Sequence, residues 1–335
     1  MKPPVFTTIL WLVRDTFRQS IAQGLFYVLA TVSLLAILVC STLTVDGLPT
    51  LAQGEDNPDF ISRRDPDANN SEKLKMSGVV VADGKLSLAF GAIDVQLARS
   101  TEQAIHFFEL ILSGGVADTL GLLLTLIWTA GFLPSFLDGR NIAVLLAKPA
   151  PRWALLVGKY VGVLAFVLCN AALFVFGTWT AIGLRTGFWD ATYLLCIPLL
   201  LLHFSIFFGF SVLIAVCTRN AVVCVFGSIL FWFVCWSMNF GHHLFVTSTG
   251  LVADSLHSSY LSGLLNAGYW ILPKPADLGM LLFNALGAGG DFAKSFDPAA
   301  LAVHGFSMTL SVVTSLAFAA ILVFASARKF QATDY

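Results

Sequence analysis

Cys235, Met238 and His242 stand at i, i+3 and i+7 in an apolar stretch, with His243 next in line. On a helix that spacing puts a thiol, a thioether and an imidazole on one face, a soft ligand set suited to copper. The same residues also suit a helix end at the membrane interface, where Trp232, Trp236 and the histidines match headgroup depth. His203, alone among Leu and Phe, is expected to hydrogen-bond a neighbouring helix rather than to bind metal. Cys40, Cys169, Cys196, Cys217, Cys224 and Cys235 form no C-x-x-C pair and lie in or beside apolar segments. They are expected to act as small buried hydrophobes, not as a disulfide frame or a zinc site.

Other chemistry lacks its residues. A phosphate-cradling loop needs G-x-x-x-x-G-K-[ST], and neither "DGKLS" nor "VGKYV" has the upstream glycine, so ATP hydrolysis is not expected of this chain. There is no H-E-x-x-H, and Asp118, near one end of an apolar run, has no second acid deep in such a run to make a carboxylate pair. The same scarcity of Asp, Glu, Lys and Arg inside apolar runs argues against an ion-coupled carrier or a voltage sensor. No basic patch points to nucleic acid, and no cofactor is expected in this chain.

The elements that must hold such residues follow from composition. Hydrophobic residues make up 57% and charged residues 12%, too apolar a mixture for an ordinary soluble domain. A helix crossing the hydrocarbon core needs about 20 mostly apolar residues. Six runs qualify: Gly24 to Val45, Thr119 to Leu137, Tyr160 to Leu184, Ala191 to Thr218, Ala221 to Phe240 and Phe306 to Ala327. The expected fold is therefore an all-α integral membrane protein, a bundle of six transmembrane helices. The first run lacks a small-residue cleavage pattern at its end and is expected to stay as a permanent span.

Basic residues set the expected orientation. With both termini cytoplasmic, Lys2, Arg14, Arg18, Arg140, Lys148, Arg152, Lys159, Arg219, Arg328 and Lys329 lie inside, against the acids Asp15, Asp138 and Asp334. The short connectors decide this, and an inner membrane location follows. Val5 to Ile21 repeats Phe6, Leu10, Val13, Phe17 and Ile21 at helical spacing and is expected to lie along the cytoplasmic interface (1–23).

Two longer segments, 46–115 and 241–305, then fall outside. The first opens on the charged stretch "GEDNPDFISRRDPDANNSEKLK", which resists folding alone. "GVVVADGKLSLAFG" follows, predicting a small β-hairpin turning at Asp83-Gly84. "STEQAIHFFELILSGGVADT" predicts an amphipathic surface helix leading through Gly114 and Gly115 into the second span (116–137). In the second outer segment, Ser255 to Pro273 carries serines, Asn266 and glycines, which predicts an interfacial or re-entrant helix, with a seventh span as the alternative.

Between the second and third spans lies "DGRNIAVLLAKPAPRWALLVGK", 138–159. It can form about two helical turns, stopped by Pro149 and Pro151. Its charges could pair with acidic groups of a partner or with anionic lipid, or serve as plain interface anchors.

With its neighbours this connector resembles the signature region of type-2 ATP-binding-cassette (ABC) exporter permeases: the acidic-glycine turn Asp138-Gly139, Leu145 to Pro149, Arg152, and Gly158-Lys159 entering the third span. The whole plan is similar, including "TRNAVV" between spans four and five and the basic tail "ARKF" (328–335) after span six. The branch of nitrous-oxide-reductase maturation and gliding-motility permeases is the most similar. The resemblance implies a permease subunit that pairs with a second copy or a paralogue, contacts membrane lipid, and moves a substrate outward. It implies a separate cytoplasmic ABC ATPase that binds ATP and Mg. Asp138, Arg140, Lys148, Pro149, Arg152 and Lys159, with Arg14 and Arg18 of the interfacial helix, become the expected coupling residues. An envelope anchor with functional outer segments is the alternative. A membrane-embedded enzyme would need a polar cluster at one depth, and the sequence offers none beyond His242-His243.

Overall fold

The computed structural model describes residues 5–46, 83–88, 90–98, 101–137, 151–247, 259–285 and 308–333. Asp138, Arg140, Lys148 and Pro149, and the charged stretch after the first span, lie outside the described residues.

Helix α1 (Val5–Ala22) and helix α2 (Leu25–Ser41) meet at an angle of 73°. Gly24 makes the elbow, with φ at 78°, a conformation that disfavours any side chain. Gly24→Ala is expected to destabilise the protein by about 1–2 kcal/mol through backbone strain, because a Cβ there meets nothing within 4 Å. Thermal unfolding in detergent measures this, and an unchanged midpoint would contradict it. Helix α2 alone is about 25 Å long, so the span is completed by the chain at its ends or by local thinning of a membrane.

Strand β1 (Thr44–Asp46) follows, and pairs antiparallel with β2 (Asp83–Leu88), which pairs antiparallel with β3 (Ile93–Ala98). The expected hairpin is present, but Asp83 and Gly84 lie within β2. The turn comes later, where Leu88 pairs with Ile93 and both Phe90 and Gly91 take positive φ. Gly91 N–H closes it on the Leu88 carbonyl at 3.2 Å. Both places offer a glycine, and the pairing of β2 with β3 puts the positive-φ residues at Phe90 and Gly91.

Helix α3 (Thr101–Leu110) does not break at Gly114 and Gly115. It runs on through a π-helical stretch (Ile111–Gly121) into α4 (Leu122–Thr129) and α5 (Phe132–Phe136). Ala104–Phe136 is thus one apolar rod. Thr119 Oγ1 donates to the Gly114 carbonyl five residues back, the spacing of the wider turn. Then come α6 (Arg152–Thr186), a 3₁₀ turn (Ala191–Leu195), α7 (Cys196–Thr218), α8 (Ala221–Thr247), the short helices α9 (Ser259–Ile271) and α10 (Pro275–Ala285), and α11 (Met308–Ala332).

Among the described residues, five helices are long and apolar enough to cross a membrane, six if the bent α1–α2 pair makes one span. Helix α9, with 13 residues, is about 20 Å long and falls short of the hydrocarbon core, so it makes no seventh span by itself. The core is shared by α1, α2, α4, α5, α6, α7, α8 and α11, and includes Phe132, Phe166, Phe204, Phe207 and Phe208. Outward faces carry Leu34, Leu38, Phe226, Leu230 and Phe324, as a lipid-facing surface requires. All six cysteines are free: Cys40, Cys196, Cys224 and Cys235 are buried, whereas Cys169 and Cys217 are exposed.

Candidate functional site

Two polar assemblies stand at opposite ends of the bundle. The first joins α1 to the start of α6. Gly158 and Gly162, four residues apart, put a side-chain-free stripe on α6, and α1 fills it. A Cβ on Gly158 would come within 2.6 Å of Leu12 Cδ1, and one on Gly162 within 2.6 Å of Thr16 Oγ1 and 3.2 Å of Val13 Cα. This is the close approach that G-x-x-x-G permits in membranes. The α1 face in the seam is Leu12, Thr16 and Ser20, all buried, and both hydroxyls donate to carbonyls four residues back, Leu12 and Thr16. Phe6, Leu10, Trp11 and Ile21 remain exposed, so α1 offers an apolar face outward and a small-residue face inward.

Lys159, expected at a docking surface, is instead 1% exposed. Its ammonium donates to Gln19 Oε1 at 2.6 Å and to Asp15 Oδ2 at 3.3 Å, and lies near the rings of Phe132 and Phe136. It lies one residue past Gly158, and the close helix approach brings α1 within reach of its side chain. Arg152, at the head of α6, donates from Nη1 to the Thr333 carbonyl at 3.0 Å, tying the end of α11 to the same place. Arg14 and Arg18 are exposed on α1. The connector 138–150 feeds directly into this joint, since Pro151 precedes the first residue of α6 with extended backbone.

The second assembly surrounds Asp277. Pro275 opens α10 and Asp277 lies in its first turn, where helix geometry favours proline and negative charge respectively. The carboxylate is 2% exposed and accepts four hydrogen bonds. His243 Nε2 donates to Oδ1 at 2.5 Å and Asn239 Nδ2 at 2.9 Å; Tyr269 Oη donates to Oδ2 at 3.0 Å and Ser311 Oγ at 2.5 Å. Asn239 Oδ1 accepts in turn from the Asp277 N–H at 3.0 Å. Lys274 lies over the rings of Tyr269 and Trp270, at 4.2 and 4.6 Å. Burial by itself would raise the Asp277 pKa, but the hydrogen bonds from His243, Ser311 and Asn239 outweigh it and hold the carboxyl below its usual range.

Four helices thus converge on one carboxylate. A carboxylate offers about four acceptor positions, and all are taken, so the group is a latch for α9 and α10 rather than a free general base. It supplies the buried polar cluster that the sequence did not reveal. Its members come from positions 239 to 311, and no local pattern links them.

The other expected residues lie on α8 and α7. Cys235 lies in the bundle core, Met238 packs on Gly268 of α9, and His242 stacks on Tyr269 with ring centroids 3.9 Å apart. His203 does bond a neighbouring helix: its Nδ1 donates to Asp118 Oδ1 at 2.5 Å, on the π-helical stretch. Comparison with protein-family models, with curated proteins and with solved structures finds no match to this chain.

Proposed function

We propose that the chain is the membrane-spanning permease subunit of an ABC exporter, paired with a second permease copy or a paralogue and driven by a separate cytoplasmic ATPase. The observation that carries this reading is the α1–α6 joint. A push on the connector 138–150 reaches the head of α6, which is locked to α1 by the Gly158–Gly162 seam and Lys159, and tethered to α11 by Arg152. Movement of one moves all three. Exposed Arg14 and Arg18 then face the ATPase or anionic headgroups, whereas Lys159 acts inside the lever and not at its surface.

Cavity size favours a path between two copies. The space enclosed by α2, the π-helical stretch, α6 and α7 measures about 80 Å³, well under the roughly 300–1,000 Å³ of a typical ligand site. A groove of about 640 Å³ between α6 and α11, lined by Trp153, Tyr160, Leu164, Val323 and Phe324, opens on the outside of the bundle. There a second copy can complete it. The lining suits lipids, peptides or other apolar cargo.

Replacing Arg140 and Lys148 together by Glu is expected to abolish ATP-coupled activity while the bundle stays folded, because Arg152, which ties α6 to α11, is left in place and charge reversal acts on docking. Co-purification of the ATPase and its hydrolysis rate in vesicles are the readouts. If both survive at wild-type level with an intact thermal midpoint, the coupling role is wrong.

A further inference from the structure

At the end of the bundle away from the α1–α6 joint, three side chains converge that neither the lever nor the Asp277 latch uses. His106 and Glu109 lie one turn apart on α3, and therefore on one face. Asp190 lies between α6 and the 3₁₀ turn. His106 Nδ1 is 3.3 Å from Glu109 Oε2 and 3.6 Å from Asp190 Oδ2, and the three ligand atoms lie within 4.8 Å of one another.

Two features make this more than a cluster of acids. First, both carboxylates face the same ring nitrogen. One N–H serves one acceptor well, and both distances are longer than a charge-assisted bond of about 2.7–2.9 Å. Ligands about 2.1 Å from a metal stand about 3.0–3.4 Å apart; the 3.3 Å separation falls in that range and the 3.6 Å separation lies just above it. Second, Glu109 is 1% exposed. Two carboxylates and one imidazole thus crowd their ligand atoms together at a largely buried place, where a cation between them offsets the cost of burying acidic groups. The frame is also rigid. Asp190 Oδ1 caps the 3₁₀ turn by accepting from Thr192 N–H at 2.8 Å, leaving Oδ2 for the site. The Asp190 carbonyl accepts from Trp179 Nε1 at 2.8 Å, and the Phe188 ring meets His106 edge-on at 5.3 Å.

We propose that His106, Glu109 and Asp190 bind one divalent transition ion of the zinc class, through Nδ1, Oε2 and Oδ2, with water completing the shell, and so clamp α3 to the α6–α7 turn. One imidazole and two carboxylates suit Zn²⁺ or Mn²⁺ and are too hard for Cu(I). The open side is provided by His106 and Asp190, whose side chains are each 16% exposed. The proposal does not depend on the exporter reading.

The test is zinc titration of the full chain, tag removed and stripped with chelator in detergent, followed by calorimetry and by the visible spectrum of the Co²⁺-loaded protein. One Zn²⁺ per chain is expected, with the intense visible bands of a low-coordinate Co²⁺ site. Glu109→Gln and Asp190→Asn are each expected to weaken binding at least about tenfold, as loss of even outer-shell support does. Asparagine keeps the cap on Thr192, so Asp190→Asn separates loss of a ligand from loss of fold. Exposed Cys169 and Cys217 are unchanged in both variants, so adventitious thiol binding would persist in them. Absence of stoichiometric binding by the wild-type chain, or wild-type affinity in either variant, would overturn the proposal.

Discussion

Asp277→Ala should loosen α9 and α10 from the bundle and cost about 3–5 kcal/mol, the range for breaking a buried charged network from one side. The size follows from what is left behind. Asn239, His243, Tyr269 and Ser311 all direct donors at the missing carboxylate, and all are buried, so each loses its partner where water cannot replace it. Asp277→Asn keeps the shape and two of the acceptor positions but replaces the others with donors that meet donors. It should cost less than alanine, by about 1–2 kcal/mol. Thermal unfolding in detergent measures both, and peptide-resolved hydrogen exchange over residues 259–285 reports where the loss falls. Equal stability of wild type and Asp277→Ala would show that the latch does not hold this hairpin.

The pH dependence has a definite sign. The hydrogen bonds hold the Asp277 carboxyl below its ordinary range, so its folded pKa lies below its unfolded one. Its contribution to stability is therefore fully present above the unfolded value of about 3.9, and is lost as the pH falls through the folded value. In the Asp277→Asn variant that part of the acid-induced loss should be missing.

How much of this was legible in the chain depends on the range of the interactions. The apolar rods were legible because a membrane helix satisfies its own backbone and needs only length and composition. The α1 elbow could be anticipated from periodicity, but not which face packs. The Phe6-to-Ile21 stripe marks the face expected along the membrane interface, and the contact with α6 is made by Leu12, Thr16 and Ser20. Small residues pack there because the partner stripe is Gly158 and Gly162, and that spacing was the available signal. The hairpin turn moved from Asp83-Gly84 to Phe90-Gly91 because both places offer a glycine and only strand pairing chooses between them. Asp277 was hidden for a different reason. A search for paired acids passes over one acid whose partners are polar donors 8 to 38 residues away.

Gly162→Val is expected to detach α1 from α6. A Cβ at Gly162 already lies 3.2 Å from Val13 Cα, which is backbone and cannot swing aside, so the helix itself must move. Overpacking of this kind costs about 1–3 kcal/mol, and it also takes Gln19 and Asp15 out of reach of Lys159. Gly158→Ala should be milder, because its nearest obstacle is the tip of the Leu12 side chain. Lys159→Met provides the contrast. It fills much the same volume, removes a buried charge, and leaves Asp15 half exposed and able to rehydrate. Replacing a buried ion pair by apolar volume is often neutral or stabilising, so its thermal midpoint should match or exceed wild type. Amide exchange over residues 5–22 then separates the two roles: faster in Gly162→Val, where the seam is forced open, and near wild type in Lys159→Met, where the glycine stripe still holds α1. Exchange accelerated equally in both would mean that the ammonium, and not the close helix approach, fastens α1 to the bundle.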